Sequence, residues 1–218
     1  MKPIKTFYLV VYFKTMTSKL FKSVTYLFHP VFMPVAGIFM ILAFSHLSLL
    51  PTEGKRAILL IVALTTLFFP LAMLPVFYYQ RMITGIQVSE RRERLVPMFT
   101  ASLFYYFGYY ILHRYAAPTL LQQFLLASFV SVFMASIIHL KWKISLHMIG
   151  IGGFIGLLSS LGILYQIYLD SFLMISIFIA GLIGSARLYL NEHNHTQIYA
   201  GFMLGFISTT ATLLIFNG

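Results

Sequence analysis

Residues 144–169 read ISLHMIGIGGFIGLLSSLGILYQIYL, and this stretch contains no Asp, Glu, Lys or Arg. Charged residues stand at its two ends, with Lys143 before it and Asp170 after it. A helix of about 20 apolar residues is long enough to cross the hydrocarbon core of a bilayer. The stretch therefore predicts a transmembrane helix.

Further intervals without charged residues lie on either side of this stretch. They are 23–52 (within which 31–50 forms the predicted span), 57–80, 95–113, 115–140, 171–186 and 193–218. The interval 171–186 is long enough only if its helix continues through Leu188 and Leu190. Polar and apolar residues do not alternate along these intervals, which argues against a lipid-facing β-barrel. The sequence thus predicts an all-α, polytopic membrane helix bundle of about seven transmembrane helices.

The composition supports an integral membrane protein. Of the 218 residues, 60% are hydrophobic and only 9% are charged, against about a quarter in a soluble domain. This excludes a soluble globular domain and a disordered chain. The absence of cysteine excludes disulfides, thiolate metal sites and a cysteine nucleophile. The net charge of +10 comes from basic residues between apolar runs, where they meet lipid headgroups, so we expect membrane lipids and not nucleic acid as partners.

The chain divides into two parts. Residues 1–28 carry five lysines around a short apolar stretch and lack the long apolar region and cleavage site of a signal peptide. We interpret them as a basic amphipathic segment on the membrane surface. Residues 29–218 contain no linker or repeat and are predicted to form a single transmembrane domain.

Glycines inside two of the spans predict close helix packing. Gly150, Gly152, Gly153 and Gly156 lie in the fifth span, and Gly181 and Gly184 lie in the sixth. Small residues at these positions allow membrane helices to approach one another closely.

The distribution of basic residues predicts an orientation. With seven spans, the N-terminal segment lies on the same side as 81–97, 141–143 and 187–192, and this side holds 12 of the 15 Lys and Arg residues. The positive-inside rule assigns this side to the cytoplasm. Basic residues that bind a substrate would lie there whatever the orientation, so the cytoplasmic assignment is weaker than the grouping.

Three polar segments on that side contain most of the groups capable of chemistry. They are 89–97, 141–147 and 185–197, and together they hold six Lys and Arg residues, three histidines and three glutamates. A site formed from them would contain several fixed cations, a hydroxyl, two or three imidazoles and few carboxylates. Clustered guanidinium and ammonium groups suit a phosphate dianion. Histidine is able to attack phosphorus or to protonate a leaving oxygen. Because the chain has only five acidic residues, no Zn²⁺ or Mg²⁺ site and no cofactor is expected.

At these residues the sequence resembles the type 2 phosphatidic acid phosphatase superfamily. The family's third signature has Ser-Arg, five residues, His, three residues, Asp and then commonly Ala-Gly; here Arg187, His193 and Ala200-Gly201 match its spacing. Ser145 and His147 resemble the second signature, Pro-Ser-Gly-His. The stretch from Arg91 to Pro97 resembles the first signature more loosely. The resemblance covers residues 57–218 and implies a six-helix phosphatase-like core, to which the first span and the N-terminal segment are additions.

The resemblance implies a role for each matching residue. His193 is the nucleophile that forms a phosphohistidine, and His147 is the general acid for the leaving group. The phosphate-binding residues are Arg187, Ser145, Arg94, Arg91 and Lys143, of which Arg91 is the weaker match. The implied activity is metal-independent hydrolysis of a phosphate monoester or diphosphate of a lipid.

Several positions depart from the family pattern. Gln197 stands where the family has the Asp that orients the nucleophile, although at four residues from His193 it still lies on the same helix face. Leu146, Ala186 and Gln87 replace the expected Gly, Ser and Lys. His195 is an alternative nucleophile, and Glu192 is an alternative partner for it or for His193.

Other functions remain open at this stage. The substitution at Gln197 favours a catalytically inactive protein that binds lipid phosphates or acts as a scaffold. A small transporter is less favoured, because most charges lie at the ends of the spans. Singly, the basic residues also suit lipid anchoring, and Ser145 suits a helix cap. The sequence specifies neither which lipid phosphate is the substrate nor an oligomeric state.

Overall fold

The computed structural model describes the backbone of residues 3–85 and 91–217 and the side chains of residues 15–85 and 92–216. Within these ranges the chain forms nine α-helices and no strands. The helices are α1 (Pro3–Leu27), α2 (Met33–Phe44), α3 (Thr52–Ala63), α4 (Phe69–Tyr79), α5 (Arg91–Arg114), α6 (Thr119–Lys141), α7 (Leu146–Tyr165), α8 (Asp170–Tyr189) and α9 (His195–Asn217). A five-residue π-helical segment, Leu64–Phe68, joins α3 and α4 into one span.

Seven stretches of the described chain are long and apolar enough to cross a membrane, which confirms the predicted helical bundle. They are Thr15–Phe44, Thr52–Tyr79, Arg92–Arg114, Thr119–Lys141, Leu146–Tyr165, Asp170–Tyr189 and His195–Phe216. The sixth span does continue beyond 186, as its length required.

The first span lies earlier in the chain than the predicted 31–50. The α2 helix ends at Phe44 because Ser45 is extended and its hydroxyl accepts a hydrogen bond from Leu47 N–H, which starts a separate 3-10 turn. The span instead begins at Thr15, within α1. The second half of α1 packs against α8, with the rings of Phe21 and Tyr189 4.9 Å apart. Residues 15–28 of the predicted surface segment thus lie within this candidate span, and the surface position of the rest of residues 1–28 stays a prediction.

The α7 helix lies at the centre of the bundle and contacts α2, α6, α8 and α9. It runs parallel to α9 at very short range. A Cβ at Gly201 would lie 2.7 Å from the Ser145 carbonyl oxygen, and one at Gly205 would overlap the Ile149 carbonyl oxygen. Backbone contact of this kind requires glycine, and it brings the N-terminal ends of α7 and α9 together.

The prediction that glycines in the fifth and sixth spans allow close helix packing is confirmed for some of these glycines and not for others. Gly152 and Gly156 lie against the backbone of α9, at Phe202 and Phe206. It is wrong for Gly181, where a Cβ would meet no atom within 4 Å.

Candidate functional site

The three polar segments meet at one end of the bundle. Arg94 from the first turn of α5, Lys143 from the α6–α7 link and Arg187 from the last turn of α8 all reach Oε2 of Glu192. The nitrogen–oxygen distances are 3.6 Å for Arg94, 4.0 Å for Lys143 and 3.4 Å for Arg187. The sequence predicted these three cations as one group, and the structure places them together. We call them, with Glu192, the cation cluster.

The cations of the cluster are shielded from solvent to different degrees. The side chain of Arg187 is 10% exposed, that of Arg94 18% and that of Lys143 28%, whereas the Glu192 side chain is 40% exposed. Burial lowers the pKa of Lys143, as do the charges of Arg94 and Arg187, and Glu192 opposes the shift. The positive charges therefore repel one another in a partly desolvated place, an arrangement suited to an anion.

A tight turn after α8 sets the positions of Glu192 and His193. Asn191 adopts the left-handed conformation at φ 53°, which asparagine tolerates better than most residues. The backbone N–H groups of Glu192 and His193 then both donate to the Arg187 carbonyl oxygen, at 3.1 and 3.4 Å. The turn folds the third segment back on itself, so that residues five and six positions after Arg187 lie beside it.

His193 is held by a hydrogen bond to Gln197, with Nδ1 and Oε1 3.0 Å apart. The same oxygen accepts the backbone N–H of Asn194 at 3.3 Å, and the Asn194 side chain accepts Gln197 N–H at 2.9 Å. This is a reciprocal capping box at the start of α9. Because Oε1 already faces a backbone donor, it must act as an acceptor. His193 therefore carries its proton on Nδ1, and Nε2 keeps its lone pair.

The environment of His193 keeps its ring neutral. The side chain is buried, and burial is the largest cause that lowers its pKa, to about 3. Arg187, Lys143 and Arg94 add to the shift through their charges, and the hydrogen bond that His193 donates to Gln197 opposes it. A neutral imidazole with a free Nε2 lone pair is the nucleophilic form of the residue.

His147 lies in the first turn of α7, against α1. Its Nε2 is 3.1 Å from the carbonyl oxygen of Thr25, and since a carbonyl only accepts, Nε2 carries a proton. The rings of His147 and His29 meet edge to face with centroids 5.3 Å apart. His147 is also close enough to Arg187 for an electrostatic interaction with its guanidinium group. The α1 helix therefore forms one wall beside the predicted general acid.

Two buried polar atoms of the predicted phosphate-binding residues have no hydrogen-bond partner among the described residues: Arg187 Nε, within the cluster, and Ser145 Oγ, two residues after Lys143 in the chain. Ser145 stands at the N-cap position of α7, but its side chain makes no capping hydrogen bond. The predicted cap is therefore confirmed as a position, since the Ser145 carbonyl accepts Ile149 N–H, but the hydroxyl does not cap the helix. Unpaired buried donors are costly, and both atoms are able to donate to an anion.

The structure separates the rival residues of the third segment. His193 is buried and bonded to Gln197, whereas His195 is exposed at the first position of α9. The pairing of Glu192 with a histidine is wrong in this structure, since its carboxylate contacts the three cations instead. The side chain of Arg91, the weakest predicted ligand, and Gln87 lie outside the described residues.

Two contacts were missed from the sequence. Glu192 was considered only as a partner for histidine, although an acidic residue between Arg187 and His193 in a basic segment was a signal for charge pairing. His29, which was not singled out from the sequence, lies against His147. Nothing in its local sequence indicates that contact.

Among the described side chains, those of residues 15–85 and 92–216, no group of three or more His, Cys, Asp or Glu is arranged to hold a metal ion. No protein-family profile, curated protein or solved structure matches the chain.

Proposed function

We propose that this protein is a membrane-embedded lipid phosphatase that hydrolyses a phosphate monoester or diphosphate through a phosphohistidine on His193, without a metal ion. The observation that carries the proposal is the meeting of three cations from separate segments of the chain beside a neutral histidine with a free Nε2. The unpartnered Ser145 hydroxyl and Arg187 Nε supply further donors at the same place.

The first step is the transfer of the phosphoryl group to the protein. Nε2 of His193 attacks phosphorus and forms the N–P bond while the bond from phosphorus to the lipid oxygen breaks. Arg187, Arg94 and Lys143 neutralise the phosphate oxygens, and positioning with charge neutralisation supplies most of the rate enhancement.

His147 protonates the leaving lipid oxygen. Its Nε2 proton is donated to Thr25, so the proton is transferred from Nδ1, which is occupied once the bound dianion favours the imidazolium form. In the second step water attacks phosphorus and breaks the N–P bond. A proton of that water returns to His147, and inorganic phosphate leaves with His193 neutral again.

We place the site on the cytoplasmic face, because most basic residues lie on its side of the bundle. The chain has no cysteine, so a single introduced cysteine is the only thiol that a thiol reagent can label in this protein. Thr52 and Thr196 are exposed in the first turns of α3 and α9, at opposite ends of the bundle. An impermeant thiol reagent added outside intact cells should label Thr52→Cys and not Thr196→Cys; the reverse pattern would place the site outside.

A second candidate is a catalytically inactive protein that binds lipid phosphates or acts as a scaffold. Gln197 favours it, because an amide holds the tautomer of His193 but cannot stabilise the imidazolium that forms during attack as a carboxylate does. Binding of a lipid phosphate without phosphate release would support this candidate.

Phosphate release from a panel of lipid phosphates, measured on detergent-purified protein with EDTA present, tests the enzyme. Wild type should release phosphate, and His193→Ala should lower the rate on the order of 1,000-fold or more because it lacks the nucleophile. His195→Ala is the matched control, since it removes a nearby exposed imidazole, and it should stay within about threefold of wild type.

Loss of activity in His195→Ala together with survival in His193→Ala would reassign the nucleophile. Activity that survives both changes would refute the histidine mechanism. Dependence on a divalent ion would refute its metal independence.

A further inference from the structure

Glu192 occupies the point on which the cations of the site converge. One oxygen, Oε2, is shared by Arg187, Arg94 and Lys143 at 3.4, 3.6 and 4.0 Å. Charge-assisted hydrogen bonds in good geometry are about 2.7–2.9 Å long. The carboxylate therefore holds all three cations loosely, and one oxygen cannot satisfy three donors at once.

A phosphate dianion is a stronger partner for these cations than Glu192 is. Arg187, Arg94 and Lys143 all contact the single carboxylate of Glu192. A phosphate monoester dianion offers three oxygens and two charges, whereas Glu192 offers one oxygen and one charge here. When such a dianion replaces the carboxylate, the three cations contact more oxygen atoms and more negative charge.

Glu192 is also the member of the cluster best placed to leave. It has the most exposed side chain of the four, at 40%, and it lies in the turn after α8 and not within a helix. The cations are fixed more firmly, since Arg94 and Arg187 are on helices and all three are less exposed than Glu192.

We propose that Glu192 is an internal competitor for phosphate: its carboxylate fills the phosphate position at rest and must leave before an anion binds. This rests on the proposed function of the site. The consequence is selectivity within a bilayer. A phosphodiester headgroup carries one negative charge, as Glu192 does, so abundant diester lipids do not displace the carboxylate. A phosphate monoester carries two and displaces it.

Calorimetric titration tests this in full-length protein carrying His193→Ala, which prevents turnover, at pH 8, where a phosphate monoester is a dianion. The probes are inorganic phosphate, dioctanoyl phosphatidic acid and dioctanoyl phosphatidylglycerol. The first two separate free phosphate from a lipid headgroup, and the third is a monoanionic diester. Glu192→Gln keeps the shape of the side chain and removes its charge. Glu53→Gln is the control, because it removes the same charge from an exposed residue at the other end of the bundle.

Glu192→Gln should lower the Kd of phosphate and of phosphatidic acid about tenfold, the size expected for one competing charged contact, and should bring phosphatidylglycerol binding into the measurable range. Glu53→Gln should change none of the three. A Kd that rises in Glu192→Gln would show that the carboxylate positions the cations and does not compete, and an unchanged Kd would equally overturn the proposal. If Glu192→Gln does not fold, Glu192→Asp, whose shorter side chain competes less well, must lower the Kd in the same direction.

Phosphate release by protein with His193 intact separates this proposal from the enzymatic one. Competition by Glu192 without turnover of any lipid would refute the enzyme and retain Glu192 as the competitor in a binding site. Turnover with a Kd that is insensitive to Glu192→Gln would overturn the role of Glu192 alone. Failure of all three probes to bind any variant would overturn both.

Discussion

His193 Nδ1 lies 3.0 Å from Gln197 Oε1, an oxygen that also accepts the backbone N–H of Asn194. Gln197 thus caps α9 and fixes the tautomer of His193 with one atom. An amide that presented its NH₂ group to the ring would reverse the tautomer, but the Asn194 N–H prevents that orientation. An amide at this position therefore keeps Nε2 available and lacks only the negative charge that a carboxylate would bring.

Replacement of Gln197 should separate the effect of the hydrogen bond on the His193 tautomer from the effect of a negative charge beside the ring. Gln197→Leu removes the acceptor, so kcat should fall about 10–100-fold, the usual effect of losing a partner that orients a reactive histidine, with KM little changed. Gln197→Glu keeps the length and adds the charge, so kcat should rise because the carboxylate stabilises the imidazolium that forms during attack. Steady-state kinetics on a lipid phosphate measures both variants.

The ¹⁵N spectrum of labelled His193 provides the control, since wild type and Gln197→Glu should both show the proton on Nδ1. Equal kcat values for Gln197→Leu and wild type would mean that the hydrogen bond serves only the capping box.

The pKa of His193 gives a second prediction. In the folded protein His193 should titrate near pH 3 because of burial and three cations, against about 6.5 for an accessible imidazole. The unfolded chain takes up this proton first as the pH falls below about 6.5, so His193 destabilises the fold increasingly between pH 6.5 and 3 and has no such effect above pH 6.5. Histidine NMR titration in detergent micelles measures the value.

Lys143→Gln tests the electrostatic cause of that shift. It removes one cation that lowers the pKa of His193, so the midpoint should move upward toward 6.5, although burial still keeps it below that value. A midpoint near 6.5 in wild type would show that the ring is hydrated and would contradict the enclosed site.

The membrane spans could be predicted from the sequence because the thickness of the bilayer sets the same length requirement for each of them. Each needs about 20 residues without charge, and alternation of direction then places the segments around Arg94, Lys143 and Arg187 at one end. The three cations are thereby predicted to lie together without any knowledge of side-chain packing. The same length requirement predicts that the helix ending at Tyr189 continues past residue 186.

The finer arrangement depends on local turns and on distant contacts that no pattern encodes. Glu192 points to the cations because Asn191 turns left-handed, a choice that neighbouring residues do not dictate. The contact of His147 with the Thr25 carbonyl joins residues 122 positions apart. It arises from the packing of α1, whose first-span boundary the charge pattern placed too late.

The contact between α7 and α9 gives the last prediction, because it sets the distance between the two halves of the site. A Cβ at Gly205 would overlap the Ile149 carbonyl oxygen and crowd Gly153 N, and backbone atoms cannot move aside as a side chain does. Gly205→Ala should therefore destabilise the protein by about 1–3 kcal/mol and lower phosphate release, because α9 shifts away from Ser145. Thermal denaturation in detergent and the release assay measure the two effects.

Gly181→Ala is the matched control, since a Cβ there meets nothing within 4 Å. Alanine favours a helix over glycine by up to about 1 kcal/mol, so the Tm of this variant should equal or exceed that of wild type, with phosphate release unchanged. Equal Tm values for Gly205→Ala and Gly181→Ala would mean that α7 and α9 are not in backbone contact. The positions of Ser145 and His193 would then need another explanation than the packing of these two helices.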